Sequence, residues 1–543
     1  AASTVDGTLS ATATTGNISD SGAQTILGAA TYITSADGSD IILDHASNTY
    51  AAGVTFKAET DGSEAFGNLT FVDTGGIKLD SDMTSAGDFW IQAADADGTV
   101  GGNLTLTSVT GNVTQGTALT VGGTTSVTTS ADHGTITLDS TTNAFTGAVT
   151  LTTNDADGSV ASATIDGGTT ALEIAASTVD GDLTLTSGGA ITDGGTLTIG
   201  GNLSATTDQN NVNINLGTLA VGGTVALTTN GTTGNVTVVN DAGLAFAAST
   251  VDGTLSATAT TGNITDSGAL AISGTSAFTT SADHGTITLD STTNAFTGAV
   301  TLTTNDADGS VASATIDGGT TALEIAASTV DGDLTLTSGG AITDGGTLTI
   351  GGNLSATTDQ NNVNINLGTL AVGGTVALTT NGTTGNVTVV NDAGLAFAAS
   401  TVDGTLSATA TTGNISDSGA QTILGAATYI TSADGSDIIL DHASNTYAAG
   451  VTFKAETDGS EAFGNLTFVD TGGIKLDSDM TSAGDFWIQA ADADGTVGGN
   501  LTLTSVTGNV TQGTALTVGG TTSVTTSADH GTITLDSTTN AFT

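Results

Sequence analysis

The feature that most restricts this chain is an apolar alternation with a period of two, broken at short intervals by glycine. In Gly101–Gly123, GGNLTLTSVTGNVTQGTALTVGG, Leu104 and Leu106 share one face, as do Leu119 and Val121, while Thr105, Thr107 and Thr120 take the other. Successive side chains leave a strand on opposite sides, so this pattern predicts half-buried β-strands. Threonine, valine and isoleucine are β-branched and fit a pleated surface better than a helix. Gly101, Gly102, Gly111, Gly116, Gly122 and Gly123 fall between the runs, where tight corners are needed. The stretch therefore reads as three short strands separated by corners.

The same phrase returns in altered form as GDLTLTSGGAITDGGTLTIGG (181–201) and GNLSATTDQNNVNINLGTLAVGG (201–223). The glycine before each leading strand serves as an anchor, at Gly181, Gly201, Gly223, Gly253, Gly274 and Gly298, and the step from Gly223 to Gly253 is the longest. A unit this short cannot bury its own apolar face, so neighbouring units must stack. The expected fold is all-β: a right-handed parallel β-helix, or β-solenoid, of about 23 coils of roughly 20–30 residues each. At the usual strand spacing this gives a rod on the order of 100 Å long. The absence of proline agrees, because proline cannot donate to a central ladder.

Longer repetition lies on top of the short one. Residues 1–146 recur unchanged as 398–543, and residues 128–264 recur unchanged as 279–415. A solenoid tolerates such tandem duplication because each coil meets only its neighbours. The expectation is one continuous solenoid over 1–543. Ala1 opens a phrase found in mid-array at Ala247 and Ala398, and Thr543 stops where Thr146 runs on into Gly147. With no distinct capping repeat, the chain is expected to be a window of a longer array, or a protomer capped by its neighbours.

Fifty-four acidic residues stand against four lysines and no arginine, a formal charge of −50. Nucleic-acid binding needs clustered basic groups, and so does attraction to anionic headgroups; both are excluded as expectations. No apolar run approaches the roughly 20 residues that span a bilayer. Zero cysteine and a strongly acidic, self-repelling surface suit an extracellular or cell-surface protein.

The phrases GNLTLTSVTGNVTQGTALTVGG, GDLTLTSGGAITDGGTLTIGG and GNLSATTDQNN resemble the repeats of filamentous-haemagglutinin-type adhesins and other giant bacterial β-helical surface proteins. The resemblance covers nearly the whole chain, though its motif consists of small, common residues. It implies a right-handed parallel β-helix extended from the cell as a stalk or fibre, with glycan-binding domains placed elsewhere. The coil lengths here vary more than a uniform haemagglutinin repeat would.

The sharpest candidates for chemistry are acidic loops. NDADGS holds Asp155 and Asp157, repeated as Asp306 and Asp308; ADADGT holds Asp95 and Asp97, repeated as Asp492 and Asp494. Two aspartates one residue apart before glycine offer hard oxygen ligands on one side of a turn, which suits calcium. Asp-Gly is also ordinary turn chemistry, and the terminal glutamate of an EF-hand loop is absent, so the turn is the favoured alternative. The Asp-His pairs (Asp132–His133, Asp283–His284, Asp529–His530, Asp44–His45, Asp441–His442) read as corner residues, since no nucleophile accompanies them. Asn211, Asn213 and Asn215 fit a polar outer face or an asparagine stack between coils. Phe89 and Trp90 fit core filling better than a sugar platform.

These observations point to a non-catalytic stalk or fibre, with other copies or continuations of itself as partners and calcium as a candidate bridging ion. A carbohydrate- or ice-binding array is the alternative, because outward Thr-x-Thr pairs form flat ladders if the coils keep register. A polysaccharide-degrading β-helix enzyme is the weakest reading: the lysines are two positions and their copies, and every candidate constellation is repeated.

Overall fold

The computed structural model describes the 543 residues except 59–65, 82, 84–86, 94–96, 156–160, 307–311, 456–462, 479, 481–483 and 490–493. The described chain is all-β with no helix, its strands paired in parallel and stacked in about 23 coils: a β-solenoid. It divides into two compact units, Ala1–Gly274 and Thr275–Thr543.

In the first unit, one coil is made by Leu104–Ser108, Val113–Gln115 and Thr120–Val121. Leu104 and Leu106 point inward and are buried, while Thr105 and Thr107 stay half-exposed. Each strand lies in register between the coil before and the coil after: Leu106 sits between Phe71 and Val127, Val113 between Ile77 and Ile136, Val121 between Val100 and Phe145. Burying each such side chain contributes about 1.5–3 kcal/mol. The core is therefore a column of aliphatic residues stacked like on like. Near the start of the unit it becomes aromatic, where Tyr32, Tyr50, Phe56, Phe71 and Phe89 pack with ring centroids 4.1–6.4 Å apart.

Coil length varies more than the spacing of the glycine anchors predicts. Val236 pairs with Leu255, whereas Ile77 pairs with Val113, nearly twice as far along the chain. The surplus in the long coil enters the stack as an extra strand: Phe89–Gln92 pair with Val54–Lys57, and Asp88 and Phe89 also pair with Lys78 and Leu79, which pair on their other side with Thr114 and Gln115. The long step from Gly223 to Gly253 is not a coil. Gly223 N–H bonds to Gly201 O at 2.9 Å, but Gly253 N–H bonds to Gly234 O at 3.0 Å, so the two glycines sit at different corners. Between them the leading strand has changed sheet. The pentapeptide LSATA pairs in one large sheet at Leu9–Ala13, against Ala30–Thr34, and in the other at Leu255–Ala259, against Val236–Asn240.

The second unit has the same internal plan. Leu501–Ser505 lies between Leu466–Asp470 and Thr522–Thr526, and Leu354–Asn361 between Leu334–Ser338 and Thr375–Asn381.

Candidate functional site

What recurs in both units is a polar lock at the corner before many of the strands. The Asn17 side-chain oxygen accepts the Asp40 N–H at 2.9 Å, Asp40 accepts that of Asn68 at 2.7 Å, Asn68 that of Asn103 at 2.9 Å, and Asn103 that of Thr124 at 2.8 Å. Later in the first unit Asp182 accepts from Asn202 at 2.7 Å and Asn202 from Thr224 at 2.8 Å. In the second unit Asp333, Asn353 and Thr375 repeat that pattern. Where the residue before the strand is Asn or Asp, its short side chain carries an acceptor to the next coil. Asn213 belongs to the same device, accepting from Asn235 at 2.9 Å. Asn211, held at φ 64°, accepts from Thr232 and Thr233, and Asn215 lies on the ladder between Thr192 and Thr237 with its side chain exposed.

A second set of asparagines is buried. Asn143 accepts the Leu119 N–H at 2.8 Å and the Gln115 amide at 2.6 Å, and donates to Asp166 O, Leu138 O and Gln115 Oε1. Asn48 and Asn240 bond backward to Gln24 and Val221 in the same way. Sequence reasoning missed these three. Parity could have found them, since Asn143 shares its face with Phe145, Asn48 with Tyr50 and Asn240 with Val238.

Of the acidic-loop candidates, Asp95, Asp157, Asp308 and Asp492 lie outside the described residues. Asp97 and Asp494 occupy exposed turns before Gly98 and Gly495, both glycines having positive φ. Asp155 and Asp306 are placed differently, each beside a histidine of the preceding coil. His133 Nδ1 is 3.9 Å from Asp155 Oδ1 and its Nε2 is 3.7 Å from Asp132 Oδ2; His284, Asp306 and Asp283 repeat both distances. His133 and His284 are corner residues with φ 63°. His45 also sits at a corner, accepting the Ser47 N–H on Nδ1 at 3.2 Å. Phe89 is buried in the aromatic core and Trp90 faces away from it. Lys78 Nζ lies 2.5 Å from Asp80 and 3.7 Å from the buried Asp88.

Each unit also has a groove of about 260 Å³. In the first unit Thr196, Thr218, Leu219, Val239, Asp241 and Thr260 line it, where the strand Ile214–Val221 bulges between Leu216 and Leu219. Two of its hydroxyls are engaged within the fold: Thr218 donates to Asp193 at 2.8 Å and Thr260 to Asp241 O at 2.7 Å.

A family described as Repeats of unknown function (DUF5649) matches residues 1–57, 66–152, 160–216, 233–303, 311–367, 384–454 and 463–543, which is most of the chain. The chain belongs to this repeat family. No curated protein and no solved structure matches it. The family's unit is larger than one coil. Its match over 160–216 takes in the successive leading strands Leu183–Ser187 and Leu203–Asn210, together with Ala163–Asp166 beneath them.

Proposed function

We propose that the chain is a structural stalk or fibre segment of a large extracellular, adhesin-like surface protein, without catalytic activity. The observation that carries this reading is the corner lock of Asn and Asp acceptors, which recurs in both units, fastens coil to coil and singles out no coil as a site. The resemblance of the leading-strand phrases to haemagglutinin-type repeats supports it, as does the duplication of the acidic loops, histidines and lysines. In this reading the partners are further coils of the same kind, and glycans are met by other domains. Charge keeps neighbouring fibres apart in low salt, and divalent cations bridge them. Electron imaging of the native material, with and without chelator, is the test. Thin unbranched fibres with an axial repeat of ~4.8 Å support the reading, and discrete compact particles overturn it.

One observation favours a second reading. Thr107, Thr128, Thr152, Thr178 and Thr198 stand in register on successive coils despite unequal coil lengths. Beside them run Thr105, Ser126 and Thr150. Such paired hydroxyl columns are a surface on which ordered water could sit, and a thermal-hysteresis measurement decides. Growth arrest of ice crystals would move the conclusion to an ice-binding array; unhindered growth leaves the stalk reading in place.

A further inference from the structure

Two loops bring together a ligand set that differs from the calcium chemistry suggested by their aspartates. Asp132, His133 and Asp155 each offer one donor atom within 4.8 Å of the others, and Asp283, His284 and Asp306 do the same in the second unit. Within each set the donors come from two coils. In the first, Asp132 ends the strand Thr125–Asp132 at a bulge and pairs with Asn154 of the next coil, whose following residue is Asp155. The side chain of Asp155 is only 5% exposed, while Asp132 and His133 are open to solvent on the same side. The 3.9 Å between His133 Nδ1 and Asp155 Oδ1 is long for a direct hydrogen bond and suits two ligands sharing one ion at about 2.0–2.2 Å from each, with an Asp132 oxygen near enough to join them.

We propose that each set binds one transition-metal dication of the zinc class, which clamps two successive coils at the bulge. The imidazole decides the class: calcium takes six to eight oxygen ligands, whereas imidazole with carboxylate suits zinc, cobalt and nickel. Two carboxylates and one imidazole leave the remaining coordination to water. Asp529–His530 has the first two ligands; among the described residues no third joins them, and the His530 side chain is 93% exposed. It serves as an internal control.

Titration of the full chain with Co²⁺ at pH 7.5, after removal of metals with EDTA, reads the sites by their visible absorption. The expected result is saturation at two equivalents, displacement by Zn²⁺, and no displacement by excess Ca²⁺. His284→Ala lowers the stoichiometry to one, and His133→Ala with His284→Ala abolishes it. Asp155→Asn with Asp306→Asn also abolishes it while keeping side-chain size, and matching circular dichroism and melting in EDTA excludes misfolding as the cause. The proposal is overturned if no saturable signal appears, if binding survives the double histidine variant, or if Ca²⁺ displaces Co²⁺. None of these outcomes depends on whether the chain forms fibres.

Discussion

At the residue scale, the two kinds of asparagine carry different loads. Asn143 is 2% exposed and satisfies backbone groups of three strands, so Asn143→Ala strands buried donors and acceptors and is expected to cost roughly 3 kcal/mol or more. Asn103 is exposed and supplies one acceptor; Asn103→Ala is expected to cost about 1 kcal/mol. Asn103→Asp keeps the acceptor, and Asp40 and Asp182 already fill equivalent corners, so it should be close to neutral. Denaturant unfolding of the three variants tests the ranking, and equal losses at Asn143 and Asn103 would contradict it. Buried carboxyls give a pH dependence of unusual sign. Burial raises the pKa of Asp73, Asp166 and Asp470, against partial offset from backbone N–H groups. Their folded pKa lies above the unfolded one, so the native state takes up protons first as pH falls, and stability grows through that window. The melting temperature is expected to rise as pH falls from neutrality toward the ordinary carboxylate range, and a fall throughout would show that other groups dominate. Little of this was legible in the sequence. Alternation placed Leu104 and Leu106 inside, but Asn143 was passed over although its parity matches Phe145.

At the scale of the strand and its corner, stacking restricts what a glycine can become. A Cβ on Gly147 would lie 2.5 Å from the backbone oxygen of Gly123 in the coil beneath, while a Cβ on Gly217 meets nothing within 4 Å. Gly147→Ala is therefore expected to destabilise by about 1–3 kcal/mol. Gly217→Ala should be neutral or stabilise by up to about 1 kcal/mol. Thermal melts of the pair decide, and a harmless Gly147→Ala would mean that the coils are less tightly seated than described. The strands themselves were legible, because an alternating run between glycines has few other ways to fold. Their assignment to a sheet was not. LSATA is compatible with either large sheet, since both present the same inward aliphatic column, so only the summed lengths of the preceding corners determine where it lands. That is why the step from Gly223 to Gly253 looked like a long coil and is a change of sheet.

At the scale of the whole molecule, identical neighbours make length adjustable. Excision of residues 128–278 joins Val127 to Thr279 and restores the sequence that follows Val127 in the intact chain. Thr125–Thr128 and Ser276–Thr279 make the same pairs with Val149–Thr152 and Val300–Thr303 in their own units. The shortened protein is expected to keep its β signature by circular dichroism and to melt within a few degrees of the parent, as nearest-neighbour stability requires. Aggregation or separate melting steps would show that the two junctions are not equivalent. The stacked, like-on-like architecture was legible from period and repeat alone. The convergence of His133 with Asp155 was not, because it depends on which residues of unequal coils fall side by side.

The corner lock also has a direction. Asn17, Asp40, Asn68 and Asn103 each hold out an acceptor to a coil that comes later in the chain, while buried Asn48 and Asn143 turn their acceptor oxygen back to the coil before. A polypeptide emerging N-terminus first, from a ribosome or an export pore, would therefore present a finished edge to each new segment. The segment would be captured by an acceptor already in place, and would then seal the edge beneath it. Such a chain can fold vectorially, one turn at a time, and the growing end would serve as its own template.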